Sequence, residues 1–174
     1  MKAMETDGAA RAEFNPAEAD TRRFRDALGA FATGVCVVTA RGADGPMGIT
    51  ANSFASLSLD PPLVLWSPAR ASRRFPVFRD AAHFAIHVLG ADQFALARHF
   101  ALNGTDFSLE GVSLNPEGVP LLPRSLARFE CRQEAVHGGG DHALIIGHVL
   151  RVSHRAGTPL VFSAGRYGGF APPV

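Results

Sequence analysis

Between Leu126 and Ala135 the chain alternates cleanly. Ala127, Phe129, Cys131, Gln133 and Ala135 fall on one side, and Arg128, Glu130, Arg132 and Glu134 on the other. A two-residue period fits a pleated strand with one dry and one wet face, and a helix cannot present it as two faces. The segment therefore calls for antiparallel neighbours and a core beneath it. Further strand-length runs extend from Val35 to Ala40, Met47 to Asn52, Phe54 to Leu59, Leu63 to Trp66, His83 to Leu89, His142 to Val152 and Leu160 to Ser163. Turn-forming clusters separate them, among them Arg41 to Pro46, Asp60-Pro61-Pro62 and Gly138-Gly139-Gly140-Asp141.

Three helices interrupt this pattern. Asn15-Pro16 reads as a helix entry, Phe24, Leu28 and Phe31 mark one apolar face, and Gly34 ends it. A short helix is expected over Ala71 to Asp80, with Pro76 in its first turn, and another over Asp92 to Phe100, capped by Asp92. Ala101 to Arg124 is rich in Gly, Asn and Pro and reads as a long loop. Residues 1–14 read as a mobile tail and residues 15–174 as one domain, which suits a chain of 174 residues that is 47% apolar. About seven strands without β-then-α alternation exclude a doubly wound parallel sheet. A closed antiparallel barrel with peripheral helices is the economical solution, because closure removes exposed edges.

Charge narrows the function. Lys and Arg number 17 against 16 Asp and Glu, for a net +1, so binding to nucleic acid or a membrane surface through bulk charge is not expected. No apolar run reaches the roughly 18–20 residues of a membrane span. Glu5, Asp7, Arg11 and Glu13 break up the amino terminus, which is unlike a secretory signal, so the cytoplasm is expected. Cys36 and Cys131 lie in apolar segments and read as reduced core residues, with no zinc framework. Dinucleotide-binding, P-loop and nucleophile-elbow glycine patterns are absent. His83 and His87 lie on a strand, without the helix or glutamate of a zinc protease.

Three segments could carry chemistry. Gly48-Ile49-Thr50-Ala51-Asn52-Ser53-Phe54 sets small polar side chains among apolar ones. They either satisfy their own backbone or face a flat polar heterocycle. Ser67 to Arg74 brings serines and arginines to the start of a helix, which suits either solvent or a bound anion. Arg98-His99-Phe100-Ala101 closes a helix, where basic residues fit with or without a ligand.

Taken in order, Phe31-Ala32-Thr33-Gly34-Val35, Gly48 to Phe54, Ser58 to Leu63, Ala71-Ser72-Arg73, Leu96 to Ala101, Gly140-Asp141-His142 and Gly165-Arg166-Tyr167 resemble the short-chain flavin reductases, whose fold is an FMN-binding split barrel. The resemblance covers about residues 20–170. It implies a homodimeric, mainly β split barrel that binds FMN or FAD and takes hydride from NADH or NADPH. Reduced flavin would pass to a separate monooxygenase component. By matching position, Gly48 belongs to the flavin-binding segment, and Thr50, Ala51, Asn52 and Ser53 would line the isoalloxazine and ribityl chain. Ser72, Arg73, Arg98 and Phe100 would surround the phosphate end. His142 would approach the nicotinamide and the flavin edge, with Arg166 and Tyr167 closing the pocket. Rival readings are a flavin- or haem-holding module without turnover, a pyridoxamine-phosphate-type oxidase on a related barrel, and a dimerising adaptor.

Overall fold

A computed structural model describes residues 13–171. The expected tail therefore lies outside the described residues up to position 12. In chain order the elements are α1 (Thr21–Gly29), β1 (Thr33–Gly34), β2 (Cys36–Gly42), β3 (Gly45–Ala51), β4 (Ala55–Leu59), β5 (Pro62–Trp66), α2 (Phe75–Asp80) and β6 (His83–Val88). After a short 3-10 turn, Ala91–Gln93, come α3 (Phe94–Leu102), β7 (Ser113–Leu114), β8 (Pro120–Leu121), β9 (Ala127–Gly139), β10 (His142–His154), β11 (Leu160–Ser163) and β12 (Arg166–Gly169).

The main sheet has seven strands in the order β3-β2-β6-β9-β10-β5-β4, every neighbouring pair antiparallel. Its two outermost strands, β3 and β4, are consecutive in the chain and joined only through Asn52, Ser53 and Phe54. Six interstrand spacings of ~4.8 Å would part them by ~29 Å in a flat sheet. Four Cα steps reach at most ~15 Å. The sheet must therefore curl enough to bring the end of β3 and the start of β4 within that reach. A smaller sheet, β1-β11-β12, packs beside it.

Both faces of β2 are buried, which explains its unbroken apolar run. Cys36, Val38 and Ala40 join Trp66, Phe84 and Ile145 in one core cluster. Val35 and Val37 join Phe100, Leu122 and Leu160 in a second, which α3 covers. The buried Thr39 hydroxyl donates to the Pro120 carbonyl at 2.6 Å.

Several boundaries differ from the sequence expectation. Asn15 organises a turn, its side-chain oxygen accepting from the Ala17 amide, while Asp20 caps α1 through the Arg22 amide at 2.9 Å. That helix stops at Gly29, and Gly34 belongs to β1. The second helix is shorter than Ala71 to Asp80, beginning at Phe75 with Pro76 in its first turn. Asp92 does not cap α3: its carboxylate pairs with Arg124 at 2.6 Å, and the Gly90 amide donates to the Gln93 side chain instead. Within the expected loop, β7 and β8 form a small hairpin. Glu130, expected on the wet face, is buried, with Asn115 at 3.2 Å and Arg128 and Arg151 at 3.1 and 2.8 Å. Burial opposes its charge, but the hydrogen bonds from Arg151 and Asn115 prevail and hold the carboxyl below its ordinary value.

Candidate active site

The corner where β3 passes into β4 is the centre of the site. Met47, Ile49 and Ala51 point into the first core cluster, so Gly48, Thr50 and Asn52 occupy the opposite face. There each meets a different partner. A Cβ at Gly48 would lie 2.5 Å from Phe100 Cδ1, so only glycine lets α3 pack this closely. The Thr50 hydroxyl donates to the Ala97 carbonyl on α3 at 2.6 Å. The Asn52 amide donates to Thr33 Oγ1 at 3.3 Å, which leaves the Asn52 carbonyl oxygen open.

As the outermost strand, β3 also has backbone groups that no strand pairs. The alternation that turns Met47, Ile49 and Ala51 towards β2 turns the N–H and C=O groups of Gly48, Thr50 and Asn52 away from it. Those of Gly48 are satisfied by the Gly104 carbonyl at 2.7 Å and the Arg74 guanidinium at 3.2 Å. The outward groups of Thr50 and Asn52 have no protein hydrogen-bond partner among the described residues.

The opposite wall comes from the loop after β5 and the start of β10. The Arg70 amide donates to the Asp141 carbonyl at 2.9 Å and the Ala143 amide to Pro68 at 3.1 Å, and Ala69 bridges to His142. His142 is the first residue after the tight β9–β10 turn, where Gly140 has a left-handed φ of 67°. Its Nδ1 donates to the Asp141 carboxylate at 2.8 Å, which orients the ring and lowers the Asp141 pKa. The Ser53 hydroxyl ties the walls together, accepting from the Ser67 amide at 2.9 Å and donating to the Ser67 carbonyl at 3.2 Å.

Two adjoining clefts result. One, of about 280 Å³, brings Thr50, Ala51, Asn52 and Ser53 together with Ser67 to Ala69 and His142. The other, of about 160 Å³, shares Thr50, Ala51 and Asn52 and adds Ala101, Phe162 and Tyr167. Small side chains at Ala51, Pro68 and Ala69 leave flat walls, with polar groups along one edge.

The remaining expected residues fall elsewhere. Phe100 is fully buried against Gly48 and Phe107, so its ring packs the core rather than meeting a phosphate. Gly48 likewise lies beneath the site as a packing position. Ser72 lies three residues beyond Ala69 and accepts from the Arg74 amide at 3.3 Å. The side chains of Arg73, Arg98 and Arg166 are exposed, line neither cleft and have no protein partner among the described residues. Two contributors escaped the sequence reading. Thr33, within the Phe31 to Val35 segment, orients Asn52. Arg74 donates to the carbonyls of Gly48, Phe100 and Ala101, clamping the end of α3 to β3. A cation at a helix carboxyl terminus is favourable, but the three segments involved are far apart in sequence.

Comparison with known proteins identifies the family of the chain. FMN reductase (NADH) SmoA of Agrobacterium fabrum is 58% identical over 158 residues, covering 91% of each chain. The reductase subunit HsaB of a flavin-dependent monooxygenase from Rhodococcus jostii is 38% identical, covering 99% of this chain and 87% of its own. The solved NADH:FAD oxidoreductase SgcE6 of Streptomyces globisporus superposes with a TM-score of 0.86 at 35% identity, covering 95% of this chain and all of its own. Residues 28–171 match the family described as flavin reductase like domain, and the chain belongs to that family.

Proposed function

We propose that this protein passes hydride from NADH or NADPH to FMN or FAD and delivers the reduced flavin to a separate monooxygenase component. The observation that carries the reading is the single cleft gathering Thr50 to Ser53 and His142 in a member of this family. When bound, flavin supplies a hydride-accepting ring nitrogen and the nicotinamide supplies the hydride. The protein's task is positioning. The flat walls at Ala51, Pro68 and Ala69 suit a planar ring, and the open backbone groups of Thr50 and Asn52 suit its polar edge. Donors there, fixed before the ligand arrives, favour charge that develops on hydride transfer. Phe162 and Tyr167 exclude water from one side, and His142 holds the second ring over the first. Ser72, Arg73 and Arg98 are assigned to the phosphate end, and Arg166 to the outer rim.

The assembly belongs to the same reading. Residues 15–174 form one domain whose curled sheet completes a closed split barrel, and two copies form a homodimer. Supporting the dimer, α1 buries none of its residues, and Phe24 and Leu28 on it and Phe31 just beyond its end are 42%, 57% and 78% exposed. A second copy would cover them. A cytoplasmic setting fits the two free, buried cysteines, and no helix among the described residues is long and apolar enough to cross a membrane.

Anaerobic mixing of the purified protein with FMN and NADH tests this directly. Bleaching of flavin absorbance matched to NADH consumption is expected. Flavin binding without NADH oxidation would assign a flavin-holding module instead, and amine-dependent peroxide release on a parallel incubation in air, independent of NADH, would assign an oxidase.

A further inference from the structure

Tyr167 is a partition. On one side its ring meets Phe162, at 5.0 Å between centroids, in the cleft that holds Thr50 to Asn52. On the other it meets Phe94, also at 5.0 Å, and lines a further cleft of about 330 Å³ with Ala91, Gly168 and Gly169. That second cleft contains no charged side chain, and its two aromatic rings are open to solvent, Phe94 at 41% and Tyr167 at 39% exposure. Glycine at two adjacent positions of β12 keeps its wall low. A Cβ at Gly169 would meet only Thr158 and Ala91, at 3.6 and 3.9 Å, so packing does not demand glycine there.

We propose that the cleft between Phe94, Tyr167 and Gly169 is an adenine subsite, which receives the purine ring of a dinucleotide whose other end occupies the cleft beyond Tyr167. The inference rests on the reductase reading above and extends it to a part of the ligand that does not react. Three observations select the occupant. The subsite is uncharged and aromatic, as a stacked base requires. It adjoins the proposed ring-binding cleft through one shared side chain, so a single bent ligand can enter both. Its walls are flat and open rather than closed around a compact group. Both NADH and FAD carry adenine, and their mononucleotide counterparts, reduced nicotinamide mononucleotide and FMN, do not.

That difference supplies the test. Steady-state kcat/KM is measured for NADH against reduced nicotinamide mononucleotide with FMN as acceptor, and for FAD against FMN with NADH as donor. The wild type, Phe94→Ala and Gly169→Val are compared; the second variant fills the subsite without removing an aromatic ring. The subsite predicts that both variants lower at least one dinucleotide-to-mononucleotide ratio about tenfold, the magnitude of one lost base stack. A fall in the nicotinamide ratio assigns the adenine to NADH, and a fall in the flavin ratio assigns it to FAD. If both ratios stay within twofold of wild type in both variants, the subsite is refuted. Failure of the reductase reading is distinguishable, because wild-type protein would then reduce no flavin with either donor.

Discussion

His142 Nδ1 lies 2.8 Å from the Asp141 carboxylate, one residue away and on the rim of the cleft that holds Thr50 to Ser53. The carboxylate accepts the Nδ1 proton, so Nε2 is the ring nitrogen left for a ligand. His142→Ala is expected to raise KM for the nicotinamide several-fold while changing flavin affinity less. Steady-state kinetics and flavin titration check this, and unchanged constants would remove His142 from the site.

Arg73 is exposed and has no protein partner among the described residues, near the turn in which the Ser72 amide donates to Ala69. Arg73→Ala should weaken FMN and FAD about tenfold and riboflavin little, because only the phosphate interacts with the guanidinium. Isothermal titration with the three flavins decides the point; equal losses for all would contradict phosphate contact.

Gly48 and Phe100 offer a test of how the site is built. Gly48→Ala sets a methyl group 2.5 Å from the buried ring, and overpacking of this kind costs ~1–3 kcal/mol. Urea denaturation should show that loss, and Phe100→Leu in the same chain should recover part of it. Strictly additive effects would mean that the two residues do not press on each other.

His87 governs a pH dependence that lies away from the cleft. Its Nδ1–H donates to the Val37 carbonyl at 3.1 Å and its Nε2 accepts from the Leu122 amide at 3.0 Å, so the folded protein holds the ring neutral. Burial pushes its pKa down from 6.5 to about 4. Above pH 6.5 neither state takes up this proton. Between pH 6.5 and 4 only the unfolded chain does, so stability falls with pH by about 3 kcal/mol, and below pH 4 the loss is complete. Chemical denaturation across this window should give a flatter profile for His87→Gln than for the wild type.

Much of this fold is written in local pattern. The alternation from Leu126 to Ala135 became the first part of β9, and the runs around Val37, Val64 and Ile86 became buried strands with nearly the expected limits. What local pattern cannot carry is a partner far along the chain. Glu130 reads as a solvent-facing charge until Asn115 and Arg151 close over it. Arg74 is indistinguishable in sequence from Arg73, yet it clamps α3 while its neighbour is exposed. Ser53 lines the cleft, but its hydroxyl also bonds the Ser67 backbone, a partner too far along the chain for local pattern to reveal. Phe100 shows the same limit: an aromatic beside basic residues at a helix end gives no sign of which side the core lies on, and its ring is fully buried.

The exposed apolar residues of α1 and the segment after it make the proposed dimer testable. Phe31, 78% exposed, follows α1 two residues after its end. Phe31→Glu should shift the protein from dimer to monomer in sedimentation analysis, with a circular dichroism spectrum like that of the wild type. A wild-type monomer at micromolar concentration would contradict the dimer.

The most direct test is a crystal structure of the protein with FMN bound. The account predicts electron density for the isoalloxazine between the Thr50 to Ser53 corner and the Ala69–His142 wall, with the Thr50 and Asn52 backbone groups at its polar edge. Density for the ring in any other part of the molecule, with that cleft filled only by water, would contradict it.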